Sequence, residues 1–251
     1  MSRKPRIKSG LGHSTADKIF VRGYDLTEEL IGKVPLGDVA FLELRGRLPA
    51  DRELAVFDAI LVTLVEHGMT PSAIATRMTY LGAPESVQAA VAAGLLGLGG
   101  RFGGTVEDAA RMLQVGGSAA EIVSDYRARK QQIPGLGHPI HKPIDPRVPR
   151  LYEVASANGF SGRYVALLDE IAEQARQALG KALPVNATGA IGALASELEI
   201  PWQVTRGLAV IARAIGLVGH LQEEMREPLA TEIWERVDAE ASGGAGPAPT
   251  E

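Results

Sequence analysis

The chain has 251 residues, 45% of them apolar, 22% charged and only 5% aromatic, with a formal net charge of −4 and no cysteine. These values exclude wholesale disorder and a global basic footprint for nucleic acid. The cysteine count removes disulfides, thiolate metal sites and a cysteine nucleophile together.

The first residues, 1–17, are basic and polar and read as an N-terminal arm. No apolar run follows them, so a secretory signal is not expected. The mild apolar run Val87–Leu98 reads as too short to span a bilayer, which leaves a cytoplasmic protein with no membrane contact as the expectation. Lys18–Asp25 is a short β-like run, and Asp25 with Glu28 has capping-box spacing for a short helix. A helix is expected over Val39–Arg45, stopped by Gly46 and Pro49. Asp51–His67 is the first strong amphipathic helix, with Leu54, Phe57, Leu61 and Leu64 at helical spacing. Thr70-Pro71 opens the next helix. Pro84–Leu98 follows, rich in Ala and Gly, a composition that lets packed helices approach closely.

Gly97–Gly104 is dense in glycine and reads as a break, after which Thr105 caps a further helix. Ser118–Arg129 is helical again. Ile133–Pro149 then holds five prolines, which forbid a regular helix and mark a long, structured and potentially functional loop. Helices are expected over Arg150–Asn158, Tyr164–Leu179, Asn186–Glu197 and Val204–Met225, the last with Leu208, Ile211, Ile215 and Val218 on one side. The Gly/Ala/Pro-rich end, 239–251, reads as a disordered tail. The chain is therefore expected to be all-α, with roughly ten helices by periodicity counting.

Few residues offer chemistry. His67 ends a helix just before Gly68, where it serves either as a C-terminal cap favoured by the helix dipole or as a charged donor to an anion. His138 lies in Pro134-Gly-Leu-Gly-His138, where two glycines let the backbone bend and expose donors, although an incidental histidine in a turn fits as well. Lys142 and Arg147 add two cations nearby, suited to phosphate and carboxylate, with plain surface charge as the bland alternative. No metal-binding pattern is visible and no metal is proposed. Leu98–Gly104 lacks the preceding strand and the lysine that a phosphate-binding loop needs.

The ordered set of motifs resembles the citrate synthase superfamily, in particular stand-alone citryl-CoA lyases and the lyase module of ATP-citrate lyase. Ile133-Pro-Gly-Leu-Gly-His-Pro-Ile-His-Lys-Pro-Ile-Asp-Pro-Arg147 resembles that family's PGxGHxxxKxxDPR loop. Glu66-His-Gly-Met-Thr-Pro-Ser72 is similar to its DHxxNAS segment, and Leu98-Gly-Gly-Arg-Phe-Gly-Gly104 to its GDRFGGA break. Leu183-Pro-Val-Asn-Ala-Thr-Gly189 is similar to its NVDG segment, and Gly216-Leu-Val-Gly-His-Leu-Gln222 to its GxxGH helix. The resemblance spans roughly residues 10–238.

That resemblance implies a large helical domain (18–114 and 183–238) and a small one (115–182), with a homodimer or higher even oligomer. It implies a carbon–carbon lyase that cleaves or forms a carboxylated 3-hydroxyacyl-CoA, giving acyl-CoA and a 2-oxo acid, with coenzyme A entering as the substrate thioester. By matching position, His138 holds the oxygen of the oxaloacetate unit, and His67, Arg147 and Arg226 bind carboxylates. Gly135, Leu136, Gly137, Lys142 and Asn186 contact CoA. Phe102 stands where citrate synthases carry a histidine, as in the lyase branch. Thr188 stands where the family has its catalytic Asp, and a hydroxyl without an activating partner is no proton acceptor near neutral pH. The alternative is a non-catalytic acyl-CoA-binding or regulatory member of the same fold.

Overall fold

The computed structural model describes residues 9–137 and 144–243. His138, His141 and Lys142 lie outside the described residues, as do residues 1–8 and 244–251. Among the described residues eleven α-helices carry the fold: α1 (Leu36–Arg45), α2 (Asp51–Val65), α3 (Pro71–Gly82), α4 (Val87–Leu98), α5 (Gly104–Val115), α6 (Ala119–Ala128), α7 (Arg147–Ala157), α8 (Arg163–Leu179), α9 (Ala187–Glu197), α10 (Trp202–Arg226) and α11 (Ala230–Ala241). A small antiparallel sheet precedes them, formed by β1 (Gly12–Ser14), β2 (Ile19–Val21) and β3 (Tyr24–Asp25) in that order. Part of the expected N-terminal arm is therefore a strand, with Gly12 opposite Val21.

Local signals set most helix ends. Asp25 caps a five-residue π-helical turn, Leu26–Leu30, by accepting from the Thr27 and Glu28 amides. The side chain that reaches back to the Asp25 amide is Glu29 at 2.6 Å, not Glu28, because the wider π turn shifts the reciprocal position by one residue. Gly46 ends α1 at φ 75°, a conformation glycine adopts without steric cost. Ser118 and Glu121 form a reciprocal capping box on α6. The glycine-dense stretch after α4 breaks the helix at Gly99, whose φ of 46° and ψ of −163° lie outside the helical region, as the sequence suggested. Gly99–Gly103 forms a second π-helical turn that runs directly into α5 at Gly104, so Thr105 lies inside the helix and is not its cap.

The apolar run expected over Val87–Leu98 nevertheless extends, through the π-helical turn, into α5. Val87–Val115 is 29 residues long and, with Trp202–Arg226, meets the length and hydropathy of a membrane span. Both carry faces buried against other helices, and Arg101 and Arg213 interrupt them. At the C-terminal end α11 runs to Ala241, three residues into the expected tail, through good helix formers such as Glu235, Arg236 and Glu240.

The core is built around α9, in which Ala187 and every residue from Gly189 to Ser196 is buried. Small residues make this possible. Gly192 leaves room for only 2.9 Å between a hypothetical Cβ and Ala109 of α5, so the two helices touch backbone to backbone. Gly97 presses on Ser72 in the same way, joining α4 to α3. Gln114 of α5 locks the turn between α9 and α10, donating to Ser196 Oγ (2.9 Å) and Ile200 O (2.8 Å) and accepting from the Trp202 amide (2.9 Å). One buried apolar cluster takes Phe41, Phe57 and Ile60 from α1 and α2, Ile122 from α6, Leu168 from α8 and Leu194 from α9. It is continuous across residues 115–182, the segment expected as a small domain.

Candidate functional site

The first constellation gathers at the N-terminus of α9. Its entry strand, residues 184–186, pairs with the glycine loop Pro134–Gly137. Gly137 donates its amide to Pro184 O at 2.7 Å, Asn186 donates to Gly135 O at 2.9 Å, and Leu136 and Val185 form an antiparallel bridge. The loop needs glycine twice, since Gly135 and Gly137 sit at φ 84° and 76°. Gly135 also lies directly on Gly189, and a Cβ on Gly135 would come within 2.6 Å of the Gly189 Cα.

Asn186 caps α9. Its Oδ1 accepts from the Gly189 amide (3.1 Å) and from the Thr188 hydroxyl (2.8 Å), and its Nδ2 donates to Gly137 O (2.7 Å). The side chain expected to contact CoA is thus the clasp between loop and helix. The Gly137 amide is committed to Pro184 and the Leu136 amide to Ile133 O (3.3 Å), so the loop has fewer donors for a ligand than expected. The Thr188 hydroxyl gives its proton to Asn186, a neutral amide that cannot act as a base.

Asp145 and Arg147 complete this cluster. Asp145 is 1% exposed and grips Arg147 in a two-pronged pair, with Nε to Oδ1 at 2.9 Å and Nη2 to Oδ2 at 2.8 Å. Its Oδ2 also accepts from the Ala187 amide at 3.0 Å. Burial pushes its pKa up, but the Arg147 hydrogen bonds and charge and the amides of Ala187 and Arg147 outweigh burial and hold it at about 2. Asp145 is therefore a fixed anion that aims Arg147 and anchors the start of α9. One edge of the half-buried guanidinium is occupied by Asp145, and no hydrogen bond from Nη1 is recorded among the described residues.

The second constellation surrounds His67. The structure ends α2 at Val65, so His67 stands two residues beyond the helix in an exposed turn. The C-cap position of α2 is Glu66, one residue before His67. Glu66 organises that turn, accepting from the His67 amide at 2.8 Å and the Gly68 amide at 2.5 Å. Burial raises the Glu66 pKa, but those amides and His220 outweigh it and leave it lowered. Gly216 of α10 packs against Val65 O, and a side chain there would collide with it.

Behind this turn lies a residue that sequence reasoning missed. Arg213 is 8% exposed, one turn before Gly216 on α10, and its Nε and Nη1 have no partner among the described residues. Burial lowers its pKa, and the charge of Glu66 offsets part of that. A buried guanidinium with idle donors is costly to keep unless an anion visits it. The sequence did carry a signal, since Arg213 is the lone charge between Gly207 and Gly219.

Three other residues resolve plainly. Arg226 is exposed at the end of α10, and its described ionic partner is Glu227 at 4.0 Å. Glu224 is buried against Arg77 (2.6 Å) and accepts from the amides of Leu229 (2.9 Å) and Ala230 (2.8 Å), which opens α11. Phe102 is half exposed in the π-helical turn beside Arg101. α2 packs on α7 and α9 as well as on α10, so the same helix supports both constellations. Among the described residues no group of three or more His, Cys, Asp or Glu side chains is placed to hold a metal ion.

The family model for the citrate synthase C-terminal domain matches residues 50–235. The chain belongs to the citrate synthase family. Its structure superimposes on citryl-CoA lyase from Hydrogenobacter thermophilus with a TM-score of 0.86 and 35% identity, covering 98% of this chain and 96% of that one. It also matches the ATP citrate lyase of Methanothrix soehngenii, solved with citrate and coenzyme A, at a TM-score of 0.76 and 26% identity, over 89% of this chain and 40% of that one. Among curated relatives, ATP-citrate synthase beta chain protein 1 of Arabidopsis thaliana is 32% identical over 226 residues, 80% of this chain and 37% of its own length. The chain spans about two fifths of the length of the Dictyostelium discoideum and Arabidopsis thaliana ATP-citrate synthases it matches. The all-α, citrate synthase-like fold expected from the motifs is the fold observed.

Proposed function

We propose that this family member is a citryl-CoA lyase-like enzyme. It cleaves a carboxylated 3-hydroxyacyl-CoA, with citryl-CoA as the first candidate, to an acyl-CoA and a 2-oxo acid, and the reverse condensation uses the same site. The observation that carries this reading is the end-to-end match to a stand-alone citryl-CoA lyase, at 35% identity and with little left uncovered on either side. The cations around the two constellations support it. Among the described residues Arg213 has Nε and Nη1 without a partner and Arg147 uses Nε and Nη2 on Asp145, and His67 adds a third polar group on the turn near Arg213.

In cleavage the tertiary hydroxyl of the substrate loses its proton and becomes the carbonyl of the 2-oxo acid. The electrons of the breaking C–C bond pass to the acyl carbon as a CoA enolate, which then takes up one proton. His138, by its matching position, is the proposed partner of the hydroxyl oxygen, and Lys142 the proposed contact to CoA phosphate. Thr188, by its matching position, is proposed to stand where the enolate forms, and its proton is tied to Asn186. It can hydrogen-bond there but cannot supply the general acid, so solvent provides the proton. Asp145 and Glu224 are already engaged as anions in ion pairs and amide contacts, which argues against either as a replacement acid.

The threonine at position 188, with its proton held by Asn186, favours a second reading, an acyl-CoA-binding or regulatory protein that has lost turnover. A panel of citryl-CoA, malyl-CoA and related 3-hydroxyacyl-CoAs, followed by mass spectrometry, separates the two. A shorter acyl-CoA with a 2-oxo acid supports the lyase, and saturable binding without product supports the alternative.

We also propose self-association through α10. Ile211, Ile215, Val218 and Met225 form one exposed apolar stripe along it, while Leu208 turns to the core. Arg226 ends that stripe and is proposed as a carboxylate ligand toward a neighbouring copy. Light scattering of the wild type and of Ile215→Glu tests the interface, with a smaller particle expected for the variant.

A further inference from the structure

The turn that presents His67 is held from behind by a chain of charge-assisted hydrogen bonds that crosses three helices. It begins at the N-terminus of α11, whose Leu229 and Ala230 amides donate to Glu224 Oε1. Glu224 Oε2 accepts from Arg77 Nη1 at 2.6 Å, and Arg77 is wholly buried on α3. Arg77 Nη2 also meets Glu223, and it lies 2.9 Å from Nδ1 of His220, with Nε at 3.3 Å from the same nitrogen. His220 Nε2 lies 3.1 Å from the Glu66 carboxylate. Glu66 in turn accepts from the His67 and Gly68 amides.

The partners dictate the direction of the chain. A guanidinium has only donors, so His220 Nδ1 must present its lone pair to Arg77. A carboxylate accepts, so the ring proton must sit on Nε2 and point at Glu66. Both ring nitrogens are thereby spent, and the imidazole holds the Glu66 carboxylate against the turn. His220 stands 10% exposed by side chain, with no further contact described.

We infer that His220 is a positioning residue for His67: it relays the fixed Arg77–Glu224 pair to Glu66 and so holds the turn in the orientation that binds substrate carboxylate. This rests on the reading of His67 as a carboxylate ligand. The relay itself is a statement about the free protein and can be tested without substrate.

The test compares full-length wild type, His220→Ala and His220→Gln. A glutamine amide keeps one donor for Glu66 and one acceptor for Arg77, so it is the rescue variant. Amide exchange is measured by NMR without ligand, together with KM and kcat for citryl-CoA. In His220→Ala the His67 and Gly68 amides are expected to exchange about tenfold faster, with α10 exchange unchanged, and KM to rise about tenfold with kcat within roughly threefold. His220→Gln is expected to return both toward wild type. Unchanged exchange at His67 and Gly68 in His220→Ala overturns the relay. So does a general rise in exchange through α10 that glutamine fails to rescue, since that marks a purely structural role. If the wild type turns over no citryl-CoA, the functional reading fails while the exchange pattern still decides the relay.

Discussion

Arg213 gives the sharpest conflict between stability and binding in this molecule. Its guanidinium is 8% exposed, and two of its nitrogens find no partner among the described residues. Each unsatisfied buried donor costs about 1–3 kcal/mol, and exchanging a buried ionic group for an apolar one of similar length gains about 1–4 kcal/mol in known cases. Arg213→Met keeps the length of the side chain and removes the charge. The expected gain is about 2 kcal/mol, which for a domain of this size raises Tm by about 4–8 °C. The same change removes a charge-assisted contact worth about 1.5–3 kcal/mol to a carboxylate. Citrate or oxaloacetate should therefore bind about 10- to 150-fold more weakly. Scanning calorimetry with and without citrate reads both effects: the variant melts higher, and the wild type alone gains stability from the ligand. A variant that melts lower and still binds citrate like wild type would refute the reasoning, because Arg213 would then be satisfied internally.

Three further outcomes follow from the first constellation. Asp145 falls from an ordinary carboxylate value to about 2 on folding, so its contribution is present above pH 4 and is lost as pH drops toward 2. Asp145→Asn should cost about 2 kcal/mol near neutral pH and flatten the stability-versus-pH curve between pH 4 and 2 in urea titrations; parallel wild-type and variant curves would count against this. Gly135→Ala places a methyl 2.6 Å from Gly189 at φ 84° and should cost at least about 2 kcal/mol, seen as a lowered urea midpoint, whereas Gly116→Ala, with open space around it, pays only for its positive φ. Thr188→Asp restores a carboxylate at the N-terminus of α9, where the dipole favours an anion. Steady-state assays should show citryl-CoA cleavage rising by about 10²–10⁴-fold if that group alone is missing; no gain would mean the pocket differs elsewhere too.

The helices were legible because their signals are local: Asp25, Thr70, Ser118 and Asn186 all act as caps where the sequence places polar residues before apolar runs. The close helix packing was legible as well, because only glycine and alanine at Gly97 and Gly192 permit it. The π-helical turn at Gly99–Gly103 was not. Glycine signals the break that Gly99 makes at φ 46°, but not that the chain coils again at once, packed against α5 and α10.

The candidate site divides in the same way. Asp145 links Arg147 to the amide of Ala187, next to Thr188, while Asn186 clasps the loop to the helix and the loop amides are partly consumed, facts that depend on contacts 42 and 49 residues apart. Arg77 and Arg213 escaped notice because burial, not residue type, is what makes an arginine informative. His220 lay in a quoted motif, but its partners come from α3 and from the turn after α2, more than 140 residues away.

The most direct test is a single-turnover experiment with enzyme in excess over citryl-CoA, which detects catalysis even when the usual acid is absent. The expected result is stoichiometric acetyl-CoA and oxaloacetate, formed faster than the thioester decays in buffer. Citryl-CoA that binds and remains intact at the buffer rate would contradict the assignment and leave a binding protein on a lyase scaffold.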